Sequence, residues 1–497
     1  MVRIRRSAGL WFSVSSSRSL TLAVLVAAAS VFGLTRPAEA AANPALLRLL
    51  QVLRDKGSIS AQEYEEIRAV AESPEAPVTP GQGAPPAGEA LAARVAVQEK
   101  EIADLTAATS GTPAPVVGRA LAGKWYERLA FRGYTQMRYT EVIDGNGPAV
   151  EVPADRSANA NESFVLRRGR VVMSGDVADH LSLYAQSDFN GSTGAADFSV
   201  QMRDLYGDVW LDQGKTFRVR LGQSKVPFGW SNLQSSQNRG PLERADAFNS
   251  AVEGERDLGA AVMWASPTAR QRFRDLVAQG LKGSGDYGVA AVGLYSGQGL
   301  NRSDQNGDPH AVARVSYPFK LQSGRFLELG VQAYTGRFVV PTQAVPAGGS
   351  SVTPTQPSAG VIDQRVGVTA VVYPQPFGVE AEWTLGRGPE LSSDARVLES
   401  RRLHGGYVQV NYRAVNGAGS WFPFARWNYF DGARKFARNA PRTEVNEIDL
   451  GVEFARWAEV ELTGVYTRTI RRTRTSTFPY GLTRDANRVG LQLQWNY

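Results

Sequence analysis

From residue 129 to the end of the chain, apolar and polar side chains alternate in segments of about ten residues. In the segment 217–221, three apolar residues share one face, and Arg218 and Arg220 share the other. The same alternation recurs in three further segments: 181–188, 327–332 and 447–454. Charged side chains in mid-strand are costly in lipid, so they must face water. The pattern predicts an all-β structure, either a transmembrane barrel with a wet lumen or a soluble β-sandwich.

The connections between these segments favour the barrel. Sixteen strands are predicted, near residues 129–140, 163–175, 180–189, 200–211, 216–226, 258–265, 287–295, 310–319, 325–338, 362–373, 379–387, 404–413, 422–430, 443–454, 458–467 and 486–497. Connections after odd-numbered strands are long and those after even-numbered strands are mostly tight, as outer-membrane barrels require. The connection 266–286 breaks this rule, so either it holds a small insertion or the strand count is wrong nearby. Residues 125–497 are therefore predicted to form a 16-stranded antiparallel transmembrane β-barrel.

The last strand ends in an alternating apolar set, which comprises Val489, Leu491, Leu493, Trp495 and Tyr497. A terminal aromatic residue on such a strand resembles the signal that the barrel-assembly machinery reads, with Tyr in place of the commoner Phe. The alternative is an ordinary C-terminal strand.

The N-terminus has the pattern of a signal peptide over residues 1–40. Arginines precede an apolar run from Leu20 to Leu34, and small residues flank a cleavage site before Ala41. Arg5 and Arg6 weakly match a twin-arginine signal, but general secretion is favoured. Loss of residues 1–40 removes five Arg and one Glu, which lowers the formal charge from +7 to +3. Bulk charge therefore gives no argument for nucleic acid.

The stretch between the signal and the barrel divides into four parts. Residues 41–72 read as a helical hairpin, 73–88 as a linker rich in Pro, Gly and Ala, 89–107 as a short coiled coil and 108–124 as a second linker. The coiled-coil seam consists of Leu91, Val95, Gln98, Ile102 and Leu105. Because it spans three heptads at most, a merely amphipathic helix remains the alternative. Residues 43–107 are candidates for contacts with periplasmic partners.

Composition narrows the possible chemistry. The chain has no Cys, which excludes a disulfide framework and a zinc site of the Cys/His type. Of the three histidines, His180 is expected at a periplasmic turn, and His310 and His404 are expected to begin strands after external loops. Asp308 near His310 is the nearest approach to a catalytic pair. No enzymatic activity, cofactor or metal is expected.

Several motifs together resemble the phosphate-selective porin family of the O and P type. They are the segments 164–170 (FVLRRGR), 220–229 (RLGQSKVPFG), 242–245 (LERA), 383–389 (WTLGRGP), 405–408 (GGYV) and 423–426 (PFAR). The resemblance spans roughly residues 160–497. It implies a sixteen-stranded barrel, a homotrimer, and a third loop that folds inward as a constriction.

A selective pore needs fixed charges at its narrowest point, and Arg donates bidentate hydrogen bonds to phosphate-like anions. The candidate anion-binding residues are Arg168, Arg170, Arg218 and Arg220 on strands, Lys225 at the start of loop three, and Arg239 and Arg244 within it. Arg167 and Arg168 are adjacent, so in a regular strand they would face opposite sides and Arg167 would point away from the lumen. Either a bulge or a position near the lipid headgroups would resolve this conflict.

Acidic residues support an alternative to the anion-selective pore. Loop three also carries Glu243, Asp246, Glu253, Glu255 and Asp257, and residues 225–257 have a formal charge of −1. A second, acidic lumen wall is predicted from Glu328, Glu380, Glu382, Glu447, Asp449 and Glu453. If these groups neutralise the arginines, the pore is a general one without preference.

The sequence thus predicts a passive porin in the outer membrane of a Gram-negative bacterium, in contact with outer-membrane lipid. It would pass small hydrophilic solutes, with a preference for anions such as phosphate or polyphosphate. The alternatives are a non-selective general porin and a structural barrel tethered to the periplasm. An inward-folded third loop would favour a porin, and a lumen plugged by side chains would favour the structural barrel.

Overall fold

The computed structural model describes residues 124–145, 152, 164–191, 198–347, 349–475 and 478–497. The predicted signal peptide, helical hairpin, coiled coil and first linker lie outside these residues, as does the second linker except for Lys124. All described residues belong to one compact unit, residues 117–497.

Sixteen strands form a closed antiparallel barrel. They are β1 (Ala130–Gly145), β2 (Phe164–Ala178), β3 (Leu181–Gly191), β4 (Phe198–Trp210), β5 (Phe217–Lys225), β6 (Arg256–Trp264), β7 (Ala290–Tyr295), β8 (His310–Lys320), β9 (Phe326–Phe338), β10 (Val361–Val372), β11 (Phe377–Leu391), β12 (Leu398–Tyr412), β13 (Gly419–Ala433), β14 (Arg442–Trp457), β15 (Val460–Thr475) and β16 (Phe478–Asn496). Each strand pairs with its neighbour in sequence, and β1 pairs with β16 to close the ring. All sixteen predicted strands are confirmed, although several extend beyond their predicted ends.

The alternation of side chains matches the predicted lumen and lipid faces. On β5, Arg218 and Arg220 are each 4% exposed, whereas Phe217 and Leu221 are 44% and 50% exposed. Closure removes every free sheet edge, and the apolar residues point to the outside. The terminal Tyr497 completes the closure through backbone hydrogen bonds with Gly133 in both directions.

Short helices and strands lie in the connections between the barrel strands and at the start of the barrel. Among the described residues, four short helical pieces lie outside the strands in addition to the longer helix of the connection 266–286: a 3-10 turn at Trp125–Arg128, α1 (Trp230–Leu233), a second 3-10 turn at Ser236–Asn238, and α2 (Asp246–Asn249). A hairpin at Val345–Ala347 and Ser350–Val352 belongs to the connection after β9, and Ala414–Asn416 pairs with β13 beyond β12. In the described part of the chain, no helix is long and apolar enough to cross a membrane.

The exceptional connection 266–286 is an insertion, so the strand count was correct. It holds the longest helix in the described residues, α3 (Pro267–Ala278), which begins after the N-cap residue Ser266. Proline is well suited to a first helical position because it has no N–H to leave unpaired. At the external end, two of the connections predicted to be long are short. Six residues follow β11 and two follow β15, because the strands on either side are themselves longer than predicted.

Candidate functional site in the barrel lumen

Loop three, residues 226–255, folds into the lumen and is anchored to the far wall. The backbone N–H groups of Trp230 and Ser231 donate to the Glu382 carboxylate at 2.6 and 2.9 Å. Arg365 on β10 donates to the carbonyl of Ala247 at 3.2 Å and to the hydroxyl of Ser250 at 2.7 Å. Because these partners lie on β10 and β11, loop three spans the lumen from its origin after β5.

One carboxylate of loop three forms ion pairs with three guanidinium groups. Glu243 contacts Arg138 at 3.0 Å, Arg167 at 2.8 Å and Arg168 at 2.8 Å. Burial opposes ionisation, but the charges of Arg167, Arg168 and Arg138 outweigh it and hold the pKa of Glu243 well below its usual range. Glu243 is therefore an ionised anchor between loop three and strands β1 and β2.

A second carboxylate organises the end of loop three. Glu255 lies 2.5 Å from Arg239, 3.0 Å from Arg244 and 3.6 Å from Lys225, and it also pairs with Arg256. Burial again opposes ionisation, and the cations, with Arg239 and Arg244 foremost, keep the pKa of Glu255 well below its usual range. The predicted neutralisation of loop-three cations by loop-three acids is confirmed at this residue.

The remaining predicted cations pair with aspartates on the wall. Arg220 makes a bidentate pair with Asp208, both contacts at 2.8 Å, and Arg218 lies 3.6 Å from the same carboxylate. Arg170 donates to Asp188 at 3.0 Å. All seven candidate residues are thus buried in the lumen, each beside a carboxylate. The structure groups Arg168, Arg170, Lys225, Arg239 and Arg244 around loop three, and it sets Arg218 and Arg220 apart, closer to the periplasmic end.

The predicted acidic wall faces inward but is itself largely paired. Its six residues are all at most 8% exposed. Glu328 pairs with Arg314 at 3.1 Å, and Asp449 pairs with Arg426 at 2.7 Å. Glu447 pairs with Arg471 at 3.0 Å. Positive and negative groups therefore interleave around the wall rather than forming one acidic side.

Two irregularities in strand pairing add arginines to the lumen. On β2 the partners of Gln136 and Met137 are Arg168 and Leu166, so Arg167 is the extra residue of a bulge. On β4 the register likewise skips Arg203. A bulge places two adjacent residues opposite one partner, which lets both members of a pair turn inward. The bulge considered from the parity of Arg167 is confirmed. The bulge at Arg203 was not predicted, although the outward apolar positions of β4 shift from even numbers at Val200 and Met202 to an odd number at Leu205.

These arginines line a cavity of about 180 Å³ above loop three. Six arginines face four carboxylates there: Arg167, Arg168, Arg170, Arg203, Arg244 and Arg302, with Asp188, Glu243, Glu253 and Glu255. The lining comes from the odd-numbered connections and the strand ends next to them, so the cavity lies toward the external mouth. Arg302 and Arg203 could be identified as cavity residues only after the β7–β8 connection and the β4 bulge were placed.

The histidines are structural. His180 lies in the tight turn between β2 and β3, as predicted, and its ring bonds to the carbonyl of Trp210 at 2.8 Å. His310 begins β8 as predicted and stacks on Tyr334. The prediction for His404 was wrong, because β12 begins six residues earlier and His404 lies within it. Among the described residues, no cluster of His, Asp and Glu has the arrangement of a metal site.

Comparisons with known proteins agree with this architecture. The sequence profile of the family "Phosphate-selective porin O and P" matches residues 149–497. No curated protein sequence matches the chain.

Solved structures with a similar fold are outer-membrane proteins. The outer membrane channel DcaP of Acinetobacter baumannii is 14% identical, with 74% of this chain and 97% of that chain covered and a TM-score of 0.47. The trimer form of OmpT from Vibrio cholerae is 11% identical, with 74% and 99% covered and a TM-score of 0.46. An anion-selective porin from Comamonas acidovorans is 12% identical, with 74% and 99% covered and a TM-score of 0.43.

The family profile and the strand pairing together identify the chain. The match covers well over half of the chain and includes fifteen of the sixteen barrel strands. The chain belongs to the family of phosphate-selective porins O and P, diffusion channels of the Gram-negative outer membrane.

Proposed function

We propose that this diffusion channel prefers anions, phosphate-like ones included, and that it collects them in the external cavity above loop three. One observation carries the proposal: six arginines face four carboxylates around a cavity of about 180 Å³. Guanidinium groups suit oxyanions because they donate paired hydrogen bonds in a plane. An excess of positive charge in a narrow, low-dielectric space raises the local concentration of anions.

The bulged arginine of β4 supports this role. The Nη2 atom of Arg203 donates to the carbonyl of Gly254 at 3.0 Å, and its Nε atom lies 4.0 Å from Asp188, beyond hydrogen-bonding distance. That Nε atom is buried without a hydrogen-bond acceptor. A buried donor without an acceptor is costly, and an oxyanion in the cavity would supply one.

Reversal potentials in a salt gradient test the preference. We expect Arg203→Gln and Arg167→Gln each to lower the anion-to-cation permeability ratio by about twofold or more, because each removes one of six cavity cations. Arg472→Gln is the matched control, since Arg472 is exposed and pairs with Glu444 at 3.1 Å outside the lumen. Unchanged reversal potentials in both cavity variants would disprove the proposal while leaving the channel itself intact.

Lys225 is a poor choice for this test although it is a candidate pore residue. Its ammonium group donates to the carbonyls of Leu233 and Gln234 at 3.0 and 2.9 Å. Replacing Lys225 would therefore disturb the end of α1 as well as the charge. The cavity arginines separate the two effects better.

The second candidate is a general porin without preference. It is favoured by the carboxylate beside each of the seven predicted cations, which reduces the field that a passing ion meets. A permeability ratio near one for the parent channel would select it. The inward fold of loop three supports either porin over a purely structural barrel.

Four further parts of the function are proposals that rest on sequence pattern or family membership. They are secretion with cleavage after residue 40, recognition of the C-terminal strand by the barrel-assembly machinery, a homotrimer, and periplasmic contacts through residues 43–107. N-terminal sequencing of the mature protein tests the first. Native mass spectrometry of the detergent-extracted protein tests the third.

A further inference from the structure

The connection between β6 and β7 folds into the periplasmic mouth of the barrel. The residues Ala269, Phe273 and Leu276 of α3 are buried, with at most 2% exposure. They belong to one apolar cluster with Trp230 of loop three and with inward-facing residues of the wall, Phe326, Val371 and Tyr373. Since its partners are lumen residues, α3 lies inside the mouth and beneath loop three.

After α3 the chain reaches the wall opposite its origin. The Lys282 ammonium group donates to both carboxylate oxygens of Glu453 on β14, at 2.6 and 2.8 Å, and lies 5.2 Å from the ring centre of Phe422 on β13. Loop three holds the same residue from above, because the Gln234 side chain donates to the carbonyl of Lys282 at 2.8 Å. Strand β14 is seven positions from β7 in a ring of sixteen.

The next four residues return across the lumen. Arg218 on β5 donates to the carbonyl of Asp286 at 2.6 Å and to its carboxylate at 3.2 Å. A ring of sixteen strands spaced about 4.8 Å apart and tilted by about 40° is roughly 30 Å across. Residues 282–286 extend about 13 Å, and the side chains at either end fill most of the remaining distance.

The local sequence suits such a crossing. The segment reads Lys282-Gly-Ser-Gly-Asp286, and Gly285 has a φ of +92°, which only glycine adopts readily. Lys282 itself has a φ of +61°, which is uncommon for a residue with a side chain. Its contacts with Glu453 and Gln234 hold it there. The two charged residues are therefore end anchors of a short, small-residue span.

We infer that residues 282–286 form a crossbar that acts as a second constriction at the periplasmic exit, with Lys282 as the residue that anchors it to the wall. A solute that has passed loop three meets the Lys282–Glu453 pair at one end of the crossbar and the Asp286–Arg218 pair at the other. The crossbar divides the exit, so it limits the size of solutes independently of the external arginines. The channel thus has two filters in series.

Single-channel conductance of Lys282→Ala tests the crossbar. Loss of the anchor should release the span and raise conductance by about 1.5-fold or more, because the exit widens. The matched control is Lys320→Ala, which removes an exposed lysine at the same end of the barrel, at the last residue of β8. The double variant Lys282→Glu with Glu453→Lys restores an ion pair and should return conductance to near the parental value. Parental conductance in a folded Lys282→Ala channel would overturn the inference.

A thiol at the centre of the crossbar gives a test that leaves both ion pairs in place. Because the chain has no Cys, Ser284→Cys introduces a unique thiol. The denatured variant is coupled to a bulky maleimide, checked by mass and refolded in detergent. We expect conductance to fall by about half or more, whereas Ser350→Cys in the hairpin after β9 should conduct as the parent does after the same coupling. An unchanged current in coupled Ser284→Cys would show that the span lies off the permeation path.

The crossbar proposal and the anion-preference proposal can be disproved independently. The crossbar predicts conductance and the size limit, and the external cavity predicts the reversal potential. A channel without ion preference would still have the crossbar, and loss of the crossbar would leave the cavity arginines unchanged.

Discussion

At the scale of single residues, two carboxylates organise the constriction. Glu243 and Glu255 each lie within 4 Å of three or more cations, and both are on loop three. Removing one partner from a buried ion pair leaves the other uncompensated, which costs about 3–5 kcal/mol. These residues therefore couple the position of loop three to the charge of the pore.

Glu243→Gln should make the pore more selective for anions and less stable. The substitution removes the negative charge that Arg138, Arg167 and Arg168 share at Glu243. We expect the anion-to-cation permeability ratio to rise about twofold or more, as measured by reversal potential, and the melting temperature to fall. Glu444→Gln, outside the lumen and paired with Arg472, is the control. A lower ratio in Glu243→Gln would contradict this account.

Protonation of Glu243 and Glu255 is expected to lower the stability of the folded channel at acidic pH. Their pKa values in the folded channel lie well below the value of about 4.3 expected in the unfolded chain. Groups with a lowered folded pKa contribute stability that is fully present above the unfolded pKa and is lost as pH falls through the folded pKa. As these two carboxylates become protonated, melting temperatures from tryptophan fluorescence should therefore decline below about pH 4. Glu243→Gln should decline less steeply, and an equal decline would assign the acid limit to other groups.

At the scale of elements, departures from regular geometry carry the specific features. Bulges at Arg167 and Arg203 turn extra arginines inward at the external ends of β2 and β4. At the other end, an ordinary periplasmic turn is replaced by α3 and the crossbar. A regular sixteen-stranded barrel would lack both filters.

Helix α3 depends on its N-cap, and this dependence is measurable. The Ser266 hydroxyl accepts a hydrogen bond from the Ala269 N–H at 3.3 Å. Ser266→Ala should cost about 1 kcal/mol locally and speed amide hydrogen exchange in the first turn about fivefold. Thr268→Ala, at an exposed position in the same turn, should change exchange little. Equal exchange in both variants would show that packing against Trp230 alone holds the helix.

At the scale of the whole molecule, the last strand closes the barrel through Tyr497. Tyr497 exchanges backbone hydrogen bonds with Gly133, and its side chain is 58% exposed on the outer surface. The backbone bonds close the barrel whatever the side chain is. The aromatic ring is therefore not required for closure.

Tyr497→Ala should reduce assembly in cells more than it affects the folded channel. If the terminal aromatic ring is read during insertion, the amount of folded protein in the outer membrane should fall several-fold. The same variant refolded in detergent should conduct like the parent, because closure uses backbone atoms. Tyr412→Ala, an exposed tyrosine at the periplasmic end of β12, is the control. Equal yields of both variants would remove the signal from the C-terminal strand.

The barrel could be predicted because its period is local. Arg218 and Leu221 are assigned to opposite faces by strand parity alone, and the conflict at Arg167 pointed to its bulge. The candidate cations were placed in the lumen for the same reason. Their partners could not be predicted, because Arg138 and Glu243 are 105 residues apart and meet only when loop three folds inward.

By itself, the amino-acid sequence determined the number of strands, their two faces and the seven inward cations. These follow from the twofold repeat of a strand and from the cost of charge in lipid. The tertiary structure alone decided which carboxylate neutralises which cation, that Arg203 joins the external cavity and that Lys282 reaches Glu453 across the lumen. Such contacts join segments far apart in the chain, and only the closed ring and its inward-folded connections bring those segments together.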